Sequence, residues 1–130
     1  MVLDASVVVE ILLGSAAGEA GARAIVNQRL AVPAHFDVEV YAAFRRLFRR
    51  GVVDRARLGR SAALLAAFPA ERVALTPLLS EAHRLAERVS AHDAFYVALA
   101  RARGNELVTA DALLAEAAAG LARVRVIAAE

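Results

Sequence analysis

The sequence contains no cysteine and no lysine, and both absences exclude kinds of chemistry. Without cysteine there are no disulfides, no thiolate nucleophile and no cysteine-ligated zinc. All 16 basic residues are arginine, which excludes a lysine Schiff base and a phosphate-binding P-loop. No apolar run is long enough to cross a bilayer and the N-terminus has no basic leader. We therefore expect a cytoplasmic protein that does not associate with a membrane.

The 130 residues, 59% of them hydrophobic, are enough for one domain, which we place over residues 1–130. Short apolar strands alternate with helices. We expect strands over Val2–Asp4, Leu30–Pro33, Arg72–Leu75, Glu106–Thr109 and Val124–Ile127. We expect helices over Ser6–Leu13, Ala17–Gln28, 35–50, 54–68, 76–89, His92–Arg103 and Asp111–Ala119. This alternation is typical of an α/β three-layer sandwich with a short, mostly parallel central sheet flanked by helices.

Four of the 14 acidic residues stand out by their position. Asp4 ends the first strand, and Asp111 follows the strand Glu106–Thr109. Glu39 lies one turn into the helix after the second strand, and Asp93 opens the largely apolar helix HDAFYVALARA. Because ligands bind beyond the carboxyl ends of parallel strands, we expect these carboxylates to meet at one edge of the sheet.

Helix capping explains each of these acids when it is considered alone. Asp4 and Asp111 suit N-cap positions, and Ser90 and Asp93 have the spacing of a capping box. Together, however, the four carboxylates would repel one another and raise each other's pKa unless a cation were bound. A hard divalent ion with oxygen ligands, Mg²⁺ or Mn²⁺, is the natural partner for such a set.

Three other α/β families with acidic sites are excluded by residues that this chain lacks. A response-regulator receiver needs a lysine. A phosphatase of the haloacid-dehalogenase type needs a second Asp two residues after the first, where this chain has Ser6. A dinucleotide-binding fold needs a glycine-rich turn after the first strand, and DASVVVEIL contains no glycine.

The segments MVLDAS, DVEV and HDAFYVALARARGNELVTAD, with their spacing, resemble the PIN-domain ribonucleases. The small size is similar to that of VapC-type toxins of bacterial toxin–antitoxin pairs. The resemblance covers the whole chain, and DAFYVALA followed by LVTAD is its most specific part. It implies a catalytic, metal-binding quartet with two supporting hydroxyls: Asp4, Glu39, Asp93 and Asp111, supported by Ser6 and Thr109. The chain departs from the family pattern at His92, where an aromatic residue is common, and after Asp111, where some relatives have a further acid.

The resemblance implies an endoribonuclease that uses Mg²⁺ or Mn²⁺, acts on RNA, pairs with a cognate antitoxin and forms a homodimer. Asp4, Asp93 and Asp111 would hold the main ion, and Glu39 would orient a water or a second ion. Two alternatives stay open: a PIN nuclease of RNA maturation, and a catalytically inactive PIN-like module that binds RNA or protein. A metal-free acid–base nuclease is a further alternative. Its candidate residues are His35, His83 and His92, whose spacing does not match that of a set of metal ligands.

Seven arginines fall between Arg45 and Arg60, with only Asp54 against them. The cluster is either a solvated face or a phosphate-binding rim beside the acids. Arg46 and Arg50, which lie nearest Glu39 on the helix, and His92, beside Asp93, are the RNA-binding candidates. The apolar excess over residues 35–68 is a candidate homodimer surface.

Overall fold

The structure is a computed structural model that describes residues 1–128, so residues 129 and 130 of the expected domain lie outside the described range. Its strands are β1 Val2–Leu3, β2 Ala31–Pro33, β3 Glu71–Val73, β4 Leu107–Thr109 and β5 Val124–Val126. Its helices are α1 Ala5–Leu13, α2 Ala16–Ile25, α3 Phe36–Arg49, α4 Arg55–Ala66, α5 Leu79–Arg84, α6 Ala91–Arg103 and α7 Ala112–Ala118.

The five strands form one sheet in the order β3-β2-β1-β4-β5, and every neighbouring pair is parallel. With helices on both sides of the sheet, the predicted α/β three-layer sandwich is confirmed. After β1 the chain builds the sheet outward through β2 and β3, then crosses back to add β4 and β5 on the other side. The direction of winding therefore reverses between β1 and β4, and ligands bind at such a switch point, beyond the carboxyl ends of the strands.

The two central strands are completely buried, as is normal for a parallel sheet covered on both faces. Val2, Leu3, Leu107 and Val108 have no solvent exposure. Helix α6 contacts β1, β2 and β4 and presents an almost continuous buried run from Tyr96 to Ala100. Because these elements are packed from every side, the positions of Asp4 and Asp93, at their ends, are well defined.

The chain from Thr76 to Val89 differs from the single helix that the sequence predicts. Thr76 and Pro77 begin a 3₁₀ turn that leads directly into α5, and α5 ends at Arg84. Within the described chain, no side chain caps the start of this turn. The backbone then continues in short i to i+3 bonds, such as that from Arg88 N–H to the Leu85 carbonyl. The segment is nevertheless anchored in the core by four buried apolar residues: Leu78, Ala82, Leu85 and Val89.

Helix α2 ends three residues earlier than expected and crosses α1 at very close range. Asn27 adopts a φ of +60°, a left-handed conformation that Asn tolerates, and α2 ends at Ile25. At the crossing, a Cβ on Gly18 would lie 2.0 Å from the carbonyl oxygen of Glu10. In the described chain no single helix is long and apolar enough to span a membrane; α1 and α2 pass that test only together, across a 118° bend.

Arg72 on β3 joins three elements through its guanidinium. It forms a two-bond ion pair with Asp37 on α3, at 2.9 and 3.1 Å. It also donates to the carbonyls of Leu65, Phe68 and Ala70, at and beyond the end of α4. The planar fork of arginine is suited to this geometry, whereas a lysine ammonium is not.

Replacing Arg72 with Lys is expected to lower the free energy of unfolding by about 1–3 kcal/mol, because carbonyls at the end of α4 lose their donors. Arg103→Lys is the matched control, since Arg103 makes a two-bond pair with Glu71 at the surface. That change is expected to cost less than Arg72→Lys, because an exposed ion pair contributes little to stability. Urea unfolding at neutral pH measures both. Equal losses in the two variants would contradict a special role for Arg72.

Candidate active site

Asp4 lies at the carboxyl end of β1, where the chain turns into α1. It occupies the N-cap position of α1, but within the described chain its carboxylate makes no capping hydrogen bond. Oδ2 instead accepts hydrogen bonds from the hydroxyls of Ser6, at 2.5 Å, and of Thr109, at 2.9 Å. Asp4 therefore occupies the expected cap position, but hydroxyls on α1 and β4 hold its side chain.

The environment of Asp4 disfavours its charged form. The residue is only 6% exposed, and burial raises the pKa of its carboxyl above the ordinary value. The hydrogen bonds from Ser6 and Thr109 act in the opposite direction, while repulsion from Asp93 adds to the rise in pKa. A nearby cation would remove most of this disadvantage.

Ser6 and Thr109 connect Asp4 to the start of α7. The Ser6 hydroxyl accepts from the N–H of Ala110, at 3.0 Å, and the Thr109 hydroxyl accepts from the N–H of Asp111, at 3.0 Å. Their oxygens lie 3.3 Å apart. Since each hydroxyl also donates to Asp4, the pair fixes the distance between the first acid and the last. This is the supporting position that the resemblance assigned to them.

Asp93 and Asp111 both lie at helix starts. The Asp93 N–H donates to the Ser90 hydroxyl, at 3.3 Å, as the capping-box spacing predicts. The Asp111 side chain caps α7 by accepting from the N–H groups of Leu113 and Leu114 through Oδ1. Burial raises the pKa of Asp93, and repulsion from Asp111 and Glu39 adds to the rise, so the three carboxylates interact electrostatically.

Glu39 faces the same place from α3. Its Oε1 accepts a hydrogen bond from the hydroxyl of Tyr96, at 2.8 Å, and lies 3.1 Å from Nε2 of His35. Tyr96 belongs to α6 and His35 immediately precedes α3. Glu39 is therefore in contact with the helix that also carries Asp93.

The four acids line one cavity of about 580 Å³, here called the acidic cavity. Ser6, Arg46, His92 and a further carboxylate, Glu10, also line it. Another concavity, of about 600 Å³, lies between α3 and α4. Its lining is mostly apolar and includes the Asp37–Arg72 pair, so the reactive groups are concentrated in the acidic cavity.

The model of the PIN domain family matches residues 1–120, a range that contains all four acids. The chain belongs to the PIN-domain family. The resemblance found in the sequence is therefore confirmed over nearly its whole length, and the acidic cavity occupies the switch point of a PIN domain.

Two curated relatives of this PIN domain come from Mycobacterium tuberculosis. Ribonuclease VapC12 is 36% identical over 129 residues, which cover 98% of this chain and 99% of that protein. Ribonuclease VapC3 is 34% identical over 118 residues, 90% of this chain and 86% of that protein. PAE2754 from Pyrobaculum aerophilum, a solved structure, aligns with 95% of this chain and 81% of its own at a TM-score of 0.65. At 21% sequence identity, this match shows a shared fold and nothing further. The predicted VapC-type character is confirmed by the first two.

The acidic cavity of this PIN domain has the donor atoms that a hard divalent cation prefers. Five carboxylates and the Ser6 hydroxyl contribute to its lining, and two of its carboxyl groups have raised pKa values. Across residues 1–128, no three acidic or histidine side chains lie close enough to form a complete ligand set. Mg²⁺, however, usually keeps several waters and binds one or two carboxylates, so the residues fit a partly hydrated ion. The three-carboxylate site of Asp4, Asp93 and Asp111 stays a prediction.

The RNA-binding candidates occupy different places in this PIN domain. Arg46 and His92 are exposed and line the acidic cavity. Arg50 is exposed at the end of α3, outside the lining, and its RNA-binding role stays a prediction. His83 is exposed on α5, outside the lining of the acidic cavity, whereas His35 touches Glu39 and lies beside His92. The three histidines therefore do not form one group, and a joint acid–base role for all three is not favoured.

Sequence reasoning assigned no role in a metal site to three residues in or beside the acidic cavity of this PIN domain: Glu10, His35 and Tyr96. Glu10 lines the cavity, and its Oε2 accepts a 2.5 Å hydrogen bond from the Ser15 hydroxyl. His35 is four residues before Glu39, and Tyr96 is three after Asp93. These helical spacings place His35 on the face of Glu39 and Tyr96 on the face of Asp93, but neither spacing shows that both side chains meet at Glu39.

Proposed function

We propose that this chain is a divalent-metal-dependent endoribonuclease and the toxin of a toxin–antitoxin pair. One observation carries the proposal: four acids from separate segments line one cavity at the switch point of a PIN domain. The relationship to proteins named Ribonuclease VapC12 and Ribonuclease VapC3 supports RNA as the substrate. The cavity is open to solvent and presents five carboxylates, which suits a phosphodiester together with a hydrated cation.

A bound Mg²⁺ or Mn²⁺ would supply an activated water and neutralise charge on the scissile phosphate. Asp4, fixed by two hydroxyls, is the anchoring carboxylate. Asp93 and Asp111 add negative charge to the cavity, and Glu39 contributes a further carboxylate from α3. Arg46, on the same helix as Glu39, places a positive charge where the phosphate backbone of RNA would lie.

The test of the enzymatic proposal is cleavage of a mixed RNA substrate by the purified chain. We expect cleavage with Mg²⁺ or Mn²⁺, loss of cleavage in excess chelator, and recovery when the ion is restored. Cleavage that continues unchanged in chelator would favour the histidine-based acid–base mechanism instead. Cleavage under neither condition would leave the binding module as the better description.

The toxin role is tested in cells. Expression of the chain alone is expected to arrest growth, and expression of Asp4→Asn is not. Co-expression with a cognate antitoxin is expected to restore growth by covering the acidic cavity. Active enzyme that does not slow growth would favour the RNA-maturation alternative.

We also propose a homodimer. In the apolar region over residues 35–68, Phe44 and Leu65 are buried in the core, but Val38, Val52 and Leu64 are each more than half exposed. Exposed apolar side chains mark an interaction surface where they form one contiguous patch, and we propose that these three contribute to such a patch. Sedimentation equilibrium is expected to give twice the mass of the chain, and Leu64→Glu is expected to give the monomer mass.

Arg46→Ala is expected to weaken RNA binding and flatten its dependence on salt, because each phosphate contact releases about one counterion. The slope of log affinity against log salt is expected to fall by about 0.7 for single-stranded RNA. Arg23→Ala, an identical charge change on the exposed side of α2, is the matched control. Both changes are made in an Asp4→Asn background, which prevents cleavage of the RNA during the measurement. RNA binding is then measured by filter binding over a series of salt concentrations. Equal slopes in all proteins would remove Arg46 from the RNA-binding surface.

A further inference from the structure

Glu39 is held through one of its two carboxylate oxygens. Oε1 accepts the hydroxyl proton of Tyr96, at 2.8 Å, and lies 3.1 Å from Nε2 of His35. Both contacts use the same oxygen, so Oε2 is the oxygen that remains for a ligand in the acidic cavity. A carboxylate fixed in this way loses less rotamer freedom when it binds an ion than a free one would.

Tyr96 is built into the core as a hydrogen-bond donor. It is fully buried, and burial raises the pKa of its hydroxyl, with the charges of Glu39 and Asp4 adding to the rise. The N–H of Ala5, next to Asp4, faces the same hydroxyl. The tyrosine therefore stays protonated and stands between the segments that carry Asp4 and Glu39.

His35 connects Glu39 to the start of α6. Its Nε2 lies 3.0 Å from the carbonyl oxygen of His92, the residue before Asp93. Its ring packs against Phe95 and Tyr96, with centroids 5.5 and 5.2 Å away, which fixes its orientation. Nδ1 of His35 is buried without a hydrogen-bond partner in the described chain, so the ring is held through Nε2.

We propose that Tyr96 and His35 are positioning residues that hold Oε1 of Glu39 and thereby direct Oε2 to the coordination shell of the divalent ion. This inference rests on the proposed metal-dependent function and assigns a role to two residues outside the acidic quartet. Its chemical basis is that hydrogen bonds to a ligating carboxylate orient it, and that removing such a partner typically costs about 10–100-fold in metal affinity or activity.

The experiment is a double-mutant cycle read by binding of Mn²⁺ alone to the full chain. Tyr96→Phe removes only the hydroxyl and is expected to weaken Mn²⁺ binding about tenfold. In a Glu39→Gln background the same change is expected to have no further effect, because Tyr96 acts through Glu39. Tyr41→Phe is the matched control: Tyr41 is the other tyrosine, lies on α3 outside the acidic cavity, and is 41% exposed. It is expected to bind Mn²⁺ like the wild type.

RNA cleavage gives a second measurement. Tyr96→Phe is expected to lower kcat at limiting Mn²⁺ with KM for RNA unchanged, and excess Mn²⁺ is expected to restore kcat. His35→Gln, whose amide can donate where Nε2 does, is expected to retain more Mn²⁺ affinity than His35→Leu. A merely structural defect would instead lower stability without a rescue by metal or by the conservative variant.

The inference is overturned if Tyr96→Phe binds Mn²⁺ as the wild type does, or if its effect adds to that of Glu39→Gln. Wild-type protein that neither binds Mn²⁺ nor cleaves RNA would contradict the proposed function instead. A crystal structure of metal-free Tyr96→Phe then decides the positioning role. Displacement of the Glu39 carboxylate supports it, and an unchanged carboxylate rejects it.

Discussion

Replacing Asp4 with Asn is expected to reduce RNA cleavage to the background rate while the protein stays folded. The amide has the shape of the carboxylate, and its oxygen can still accept from the hydroxyls of Ser6 and Thr109. It lacks the negative charge that a divalent cation needs from its ligands. The loss is therefore expected to be one of chemistry and not of structure.

The same substitution is expected to raise stability in the absence of metal. Because burial raises the pKa of Asp4 above 3.8, the folded protein holds this proton more tightly than the unfolded chain does. The stability that protonation provides is present below that value and is lost as pH rises through the pKa of the folded state. At neutral pH the buried charge is a cost, which Asn removes.

Thermal unfolding with chelator, measured from pH 4 to pH 8, checks this sign. The Tm of Asp4→Asn is expected to exceed that of the wild type at pH 8, and the difference is expected to shrink toward pH 4. Adding Mn²⁺ is expected to raise the Tm of the wild type more than that of the variant. A variant that cleaves RNA at the wild-type rate would show that Asp4 is not a ligand.

Replacing Gly18 with Ala is expected to be the most damaging small change in the fold. The new Cβ would lie 2.0 Å from the carbonyl oxygen of Glu10, and a backbone atom cannot move aside without separating α1 from α2. Forcing extra volume into such a contact costs about 1–3 kcal/mol, and we expect the upper end of that range. For a domain of this size the loss corresponds to a Tm lowered by roughly 10 °C.

Gly59→Ala is the matched control, because Gly59 lies inside α4 with open space around the position of its Cβ. Alanine is the better helix former, so this change is expected to stabilise the protein by about 0.5–1 kcal/mol. Urea titration of both variants is expected to give changes in the free energy of unfolding with opposite signs, although both replace glycine with alanine. A Gly18→Ala protein as stable as the wild type would show that α1 and α2 do not cross this closely.

The acidic quartet was predictable because of the kind of position that its members occupy. Asp4 and Asp111 follow buried strands, and parallel pairing brings the ends of those strands together whatever the details of packing. Asp93 was recognisable as an acid at the start of an apolar helix. In each case the sequence pattern located the end of a strand or the start of a helix. The course of the backbone then determined which residues surround the acid.

The residues that support the quartet were not predictable in the same way. Tyr96 is one of several apolar-looking residues on α6, and only the side-chain geometry shows its hydroxyl reaching Glu39. Arg72 could not be distinguished from surface arginines, since its bonds to Leu65 and Phe68 depend on how β3 meets the end of α4. Both roles depend on contacts between residues distant in sequence, which no local pattern contains.

The hydrogen bond between Thr109 and Asp4 joins residues 105 positions apart. During translation Asp4 therefore emerges from the ribosome early. The residues that hold its side chain emerge much later, with β4 and the start of α7. Shorter nascent chains lack Asp111 and both the strand and the hydroxyl that hold Asp4. The acidic cavity thus forms only after Asp111 has been synthesised, so translation products that stop before β4 carry no assembled site.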